Sequence, residues 1–319
     1  MKTERPSAHL AQVAALWAVV LVVAALVILA AAWILAPLNQ PPPWSARAAA
    51  TELADPFALP ADASPDAPLR LAGSGSNLPL TRELAEAFVR RHPARRVLVF
   101  ESIGSTGGIA AARDRVIDLG LISRPLRPVE DELGLVVLPY ARVAVAVAVN
   151  LGVADDELRA AELVEIYAGR RRTWRDGQPI IVLQRERGDS GHLAVAAAVP
   201  GFEAANDEAY RAARWRVLYN DRAMHEALAS TPGAIGLFDV SATQTQALAL
   251  KLLRVDGVAP VEDSLQAARY PFTKQLAFVS PEAPVGLAAE FIDFVASSDG
   301  QAIIRRAGYQ PAARRQEAP

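Results

Sequence analysis

Residues 10–38 form one uninterrupted apolar stretch, with no charged side chain and Gln12 as the only strongly polar one. As a helix it would extend roughly 43 Å at about 1.5 Å per residue. That is enough to cross a hydrocarbon core of about 30 Å, with tilt or with its ends among the headgroups. Trp17 and Trp33 stand near the two ends, where interfacial indoles are favoured. The competing reading is a cleaved signal peptide, for which the alanines at 30–32 offer a small-residue site. Such peptides have an apolar region of about 7–15 residues, roughly half of what stands here, so an uncleaved anchor is expected. Lys2 and Arg5 precede the run and the next Lys or Arg is Arg47. Positive charge stays on the cytoplasmic side. This predicts a short cytoplasmic tail at 1–9, a single pass through the cell inner membrane at 10–38, and a C-terminal domain in the periplasm or outside the cell.

Residues 39–68 carry seven prolines, many alanines and few large apolar side chains, the composition of an extended linker. From residue 69 short apolar runs alternate with helical periodicity. "LRLAGSG" (69–75), "RVLVFES" (96–102), "DLGLISRPL" (118–126) and "PIIVLQRE" (179–186) read as strands. "LTRELAEAFVRRHP" (80–93) places Leu80, Leu84, Ala87 and Phe88 on one helix face, and Pro93 stops it. "GGIAAARDRV" (107–116) and "ELVEIYAGRRRTW" (162–174) also read as helices, and the C-terminal part holds two more. Between them, "LVVLPYARVAVAVAVN" (135–150) has a Val/Ala alternation that suits a strand buried on both faces. The alternation of strands and helices predicts an α/β domain with mainly parallel pairing.

Three segments share one design: "GSGSNLPL" (73–80), "SIGSTGGIA" (102–110) and "RGDSGHLA" (187–194). Each follows a predicted strand, is rich in Gly, Ser, Thr or Asn, and runs into a predicted helix. Glycine allows close backbone approach, first-turn amides have no internal acceptors, and hydroxyls add donors. A single such loop is commonly just a turn with an N-cap. Three in one domain, with Arg124 beside one and Arg185 and Arg187 beside another, favour an anion site. Neither GxGxxG nor a Walker A motif is present.

Composition narrows the classes. Lys plus Arg total 33 against 35 for Asp plus Glu, so the basic excess of a nucleic-acid binder is missing. The absence of cysteine removes disulfides, thiolate metal sites and a cysteine nucleophile. His9, His92, His192 and His225 show no metal-ligand spacing. No cofactor and no metal are expected.

The order of these motifs resembles the phosphate-binding component of bacterial ABC phosphate transporters, within the bilobed periplasmic solute-binding proteins. The resemblance runs from about Leu69 to Ala313. It rests on "GSGSNLPL", "SIGSTGGIAA…DLGLISRPL", "ELVEIYAGRRRTW", "GAIGLFD" (233–239) and "AEFIDFVASSDGQAIIRRAGYQP" (289–311). It implies a two-lobed α/β fold with two mixed sheets flanked by helices and two chain crossings at the hinge. Lobe one would take about 69–142 and 245–319, and lobe two about 143–244. The lobes would close on phosphate or a related oxyanion, for delivery to an ABC permease or another inner-membrane partner. Carried over by motif, the ligand contacts would come from Ser76, Asn77 and Leu78, from Ser105, Thr106 and Gly107, from Arg124, from Arg185 or Arg187, and from Asp189, Ser190, Gly191 and His192.

Two positions depart from the family pattern. Phosphate binders of the family often have Asp where this chain has Arg124. Arginine cannot accept the proton of hydrogen phosphate and would favour a more anionic ligand through a bidentate contact. His192 replaces the usual Thr. Sulfate-like anions and organophosphates therefore stay open, with Asp189 or Glu186 as alternative proton acceptors. A ligand-sensing or assembly role on the same fold is the second reading. A serine hydrolase is a distant third: Gly188-Asp189-Ser190-Gly191 matches the string around a trypsin-like nucleophile. However, His192 is too near in sequence for a distant triad base, and the segment continues into a helix rather than an all-β fold.

Overall fold

The computed structural model describes residues 67–240, 249–261 and 269–312. The expected anchor at 10–38 and nearly all of the linker lie outside the described residues. Among the described residues no helix is long and apolar enough to cross a membrane.

The chain enters through β1 (Leu69–Gly73), a 3-10 turn (Gly75–Asn77) and α1 (Leu78–Arg91). Pro79 lies in the first turn of α1, where its missing N–H costs nothing. Leu80, Leu84 and Phe88 turn inward, and Arg90 and Arg91 favour the helix's C-terminal end. There follow β2 (Val97–Val99), α2 (Gly104–Arg113), β3 (Leu119–Ile122), a single helical turn (Pro128–Asp131) and the long β4 (Val136–Asn150). Next come β5 (Glu157–Leu158), α3 (Ala160–Tyr167), β6 (Ile181–Arg185), α4 (Ser190–Ala198), α5 (Phe202–Arg211), β7 (Arg216–Leu218), α6 (Asp221–Ser230) and β8 (Ala234–Asp239). The last elements are β9 (Leu250–Leu252), β10 (Arg254–Val255), β11 (Thr273–Ser280), α7 (Gly286–Ala296), α8 (Ser298–Arg306) and β12 (Gln310–Pro311).

β4 joins two lobes. Its first part pairs antiparallel with β11, which continues through β3 and β1 to β2. Its far part pairs antiparallel with β8 and β9, and β8 continues to β6 and β7. The sheet is therefore one continuous mixed sheet whose halves serve different lobes, rather than two sheets. Within it, parallel pairing is confined to the outer strands; β5 and β10 pair parallel in a separate two-stranded sheet. The central pairs are antiparallel because β4 and β11 carry the chain across the hinge in opposite directions.

The two-faced burial expected of the Val/Ala run holds. Val145, Val147 and Val149 pack with Leu163, Ile166 and Phe202, while Ala148 packs with Met224 and Leu228 of α6. A separate core in lobe one gathers Leu71, Leu84, Phe88, Leu119, Phe278 and Phe291. The lobe boundary differs from the expectation at 244/245. Leu252 pairs with the far half of β4, and Val255, Tyr270 and Phe272 belong to the core of lobe two. The return crossing therefore lies at the start of β11, between Phe272 and Leu276.

One close approach sets the position of α2. A Cβ on Gly108 would stand 2.8 Å from Gly73 Cα and 3.1 Å from Leu121 O. The bare backbone lets α2 lie on β1 and β3, which brings its first turn to the strand ends. Gly108→Ala is expected to destabilise the fold by about 1–3 kcal/mol through overpacking, read as a lower denaturation midpoint in urea. An unchanged midpoint would contradict this account of the helix–sheet contact.

Candidate functional site

The three Gly/Ser segments meet between the lobes around a cavity of about 520 Å³. Lobe one lines it with residues 74–76, the stretch 102–106, Arg124 and Arg127; lobe two lines it with 185–190 and 219–221. The lobes approach each other on two sides of it. A Cβ on Gly75 would be 3.0 Å from Asp221 Oδ2, and one on Gly188 would be 3.4 Å from Arg127 Nη2.

Three helices begin at this cavity, and they differ in how their first-turn amides are satisfied. At α4, Asp189 is the N-cap and accepts from the amides of Gly191 (3.0 Å) and His192 (3.1 Å). At α6, Asn220 accepts from Ala223 N at 2.8 Å, and Asp221 adds negative charge to the first turn. At α2 the N-cap Ile103 has no polar side-chain atom, and Ser102 Oγ takes only the Gly104 amide, at 3.4 Å. The GSTGG segment is thus the first turns of the helix itself, not a loop before it. Its leading amides lack intrahelical acceptors and stand at the cavity wall, where they can receive an anion.

The hydroxyls at the cavity are arranged as donors. Ser105 Oγ accepts from Ser123 N at 3.3 Å, Thr106 Oγ1 from Arg124 Nη2 at 2.9 Å, and Ser190 Oγ from Lys274 Nζ at 2.9 Å. A hydroxyl that accepts from a protein donor keeps its own hydrogen for another acceptor.

The cations are mostly spent on carboxylates. Arg124 forks onto Glu130 with contacts of 2.6 and 2.7 Å, and its remaining terminal N–H groups go to Pro125 O and Thr106. The bidentate contact expected of Arg124 is therefore made within the chain, because the turn after it returns Glu130 to its guanidinium. Hydrogen bonding from Arg124, helped by the Arg127 amide, outweighs burial and holds the Glu130 carboxyl below its ordinary 4.5. Arg185 lies among Glu186, Asp189 and Asp221. Burial alone would lower its pKa, but these carboxylates overcome that and raise it. Burial opposes ionisation of Asp189, yet His192, Arg185 and Lys274 hold its carboxyl far below the usual range. Arg187 pairs with Asp207 at 3.2 Å and lies over the Tyr210 ring. Among the described residues, Arg127 is the lining cation whose side chain has no carboxylate partner within salt-bridge distance.

Eight of the expected contact residues line the cavity: Ser76, Ser105, Thr106, Arg124, Arg185, Arg187, Asp189 and Ser190. Asn77, Leu78, Gly107, Gly191 and His192 do not. Asn77 is fully buried and bonds Ile122 O and the Tyr140 hydroxyl. The amides of Asn77 and Leu78 close the 3-10 turn onto Ser74 and Gly75. His192 turns into lobe two beside Tyr167 and Phe202, with Nδ1 3.1 Å from Asp189 Oδ1. Neither Asp189 nor Glu186 is a spare proton acceptor, since both are engaged within the chain. Sequence reading missed Arg127, Asp221 and the buried pair Lys274–Asp239, which are 2.8 Å apart. The cue for Lys274 is a lone cation within the apolar strand "TKQLAFVS".

Comparison with known proteins gives the same picture. The profile described as a PBP superfamily domain matches residues 50–299. The "Phosphate-binding protein PstS" of Bacillus subtilis (strain 168) is 29% identical over 254 residues, covering 76% of this chain and 80% of that protein. A solved Clostridium perfringens protein, described as a phosphate ABC transporter substrate-binding protein with bound phosphate, superposes with a TM-score of 0.69. It is 22% identical and covers 77% of this chain and 100% of its own. An ABC-type phosphate transport receptor from Vibrio cholerae gives 0.59 at 21% identity, covering 76% and 99%. At these identities the structural likeness establishes the fold.

The Arg124–Glu130 pair provides a pH test. Glu130→Ala leaves a buried guanidinium unpaired and is expected to cost about 3–5 kcal/mol at pH 7. Because the folded carboxyl titrates below 4.5, the pair stabilises fully above that value and less as pH falls through the folded pKa. Urea unfolding of both chains at pH 7 and pH 3 should show the gap narrowing in acid; a gap that holds or widens contradicts the assignment.

Proposed function

The chain belongs to the PBP superfamily, and on that footing we propose that it is an extracytoplasmic receptor that captures phosphate between its lobes and hands it to an ABC permease. The names of its relatives support the ligand and the transport role. The observation that carries the reading is a set of donors at the cavity: the first-turn amides of Ser105 and Thr106 in α2, with the hydroxyls of Ser105, Thr106 and Ser190, each of which already accepts from within the chain. An oxyanion with several acceptor oxygens satisfies all of these at once.

Arg127 supplies the counter-charge, since the other lining arginines are neutralised by their carboxylates. Charge-assisted bonds contribute about 1.5–3 kcal/mol each, and a micromolar site needs about 8 kcal/mol after ordering and desolvation costs. Asp221 pairs with Arg185 through Oδ1, which leaves Oδ2, facing Gly75 at the cavity wall, as the carboxylate oxygen placed to take a ligand proton. Ser190 acts as a donor rather than a nucleophile. Lys274 beside it is paired with Asp239 and so is a poor general base. Residues 10–38 tether the domain to the membrane, which keeps the receptor close to its permease.

Titration calorimetry of the full chain in detergent tests the ligand. Phosphate should bind saturably with a micromolar or tighter dissociation constant, and Arg127→Ala should weaken it by about 10–100-fold with little change in melting temperature. No saturable binding at millimolar phosphate would overturn the reading. Release of the full chain from membranes by alkaline carbonate would overturn the tether.

A further inference from the structure

Val143 and Ala144 are consecutive on β4, yet Val143 packs in the core of lobe one and Ala144 in that of lobe two. On the returning chain Phe272 belongs to lobe two and Leu276 to lobe one. The two crossings therefore run side by side, and Lys274 stands between them, in register with Val143.

Its side chain leaves the sheet almost wholly buried, at 7% exposure. The ammonium meets Ser76 Oγ of lobe one at 2.7 Å, Ser190 Oγ of lobe two at 2.9 Å, and Asp239 Oδ1 at the end of β8 at 2.8 Å. An ammonium has three N–H donors, and these partners use them all. Burial pushes the Asp239 carboxyl up, and Lys274, with a hydrogen bond from Ser76, works against that. Neither charge would be tolerated there without the other.

We propose that Lys274 is an interlobe positioning residue: it fastens one hydroxyl from each lobe to a single charge at the hinge, so that the cleft is assembled before an anion enters. The ammonium occupies a lone pair of Ser190 and turns its hydrogen away from Nζ, toward the cavity. Lys274 and Asp239 together add no net charge to the cavity, so the pair organises donors without competing with Arg127 for the ligand. The ligand part of this inference rests on the phosphate reading; the hinge part does not.

The chain contains no cysteine, so spin labels at Val129→Cys and Leu151→Cys are unique. Both positions are exposed, and they lie on opposite lobes. Distances are measured on the full chain in detergent without ligand. Lys274→Met is combined with Asp239→Asn, so that no orphaned carboxylate is buried and the chain can fold. The double variant should show a longer or broader distance distribution than the parent, and Lys274→Arg, which keeps the charge, should restore the parent distribution. A double-variant distribution that superimposes on the parent's overturns the proposal. Phosphate is then added to the labelled parent chain. Its binding is read by titration calorimetry, because a pre-assembled cleft need not change its interlobe distance: no saturable binding sinks the phosphate reading and leaves the ligand-free comparison to decide the role of Lys274.

Discussion

β4 is shared by both lobes, and burial of both its faces fixes its register. A strand packed on one side alone could slip by two residues and keep its pattern. Here Val145, Val147 and Val149 fill one core while Ala148 meets α6 on the other face. A slip would damage both. β11 locks the near half of the same strand. The ends of β1, β3 and β6, and the first turns of α2, α4 and α6, therefore arrive at one cavity as a consequence of sheet register. The close seat of α2 at Gly108 completes the arrangement by bringing to that cavity a helix end whose Ser105 and Thr106 amides have no side-chain cap among the described residues.

Charge then decides what the cavity can hold. Arginines beside glycine-rich loops suggest a strongly positive site, but the folded chain matches most of them with carboxylates. Arg124 has Glu130, Arg185 has Glu186 and Asp221, and Lys274 has Asp239. On the proposed reading, attraction of an anion is left to helix amides, oriented hydroxyls and Arg127. Such a site depends on the geometry of many donors more than on net charge, and it favours an oxyanion whose oxygens point in several directions over a simple spherical anion.

Much of the frame was legible in the sequence because it is local. The apolar spacing of "LTRELAEAF" and the Val/Ala alternation of 143–149 fix a helix and a doubly buried strand, and both stand. The glycine-rich segments were legible as a group, and all three reach the cavity. Their individual roles were less so. Asp189 before Ser190 is a local N-cap signal, and it takes the amides of Gly191 and His192 that would otherwise serve a ligand. The pairing of Arg124 with Glu130 depends on a turn that brings residues six apart together. Lys274 was illegible for a stronger reason: it lies 198 residues from Ser76 and 84 from Ser190, and no local period encodes that meeting.

The most direct test of the account is amide hydrogen exchange of the full chain with and without phosphate, resolved across α2 and α4. Phosphate should slow exchange at Ser105 and Thr106, whose amides lack acceptors among the described residues. Gly191 and His192, already capped by Asp189, should change little. Protection concentrated at Gly191 and His192, with residues 104–107 unaffected, would contradict the assignment of the anion to the N-terminus of α2.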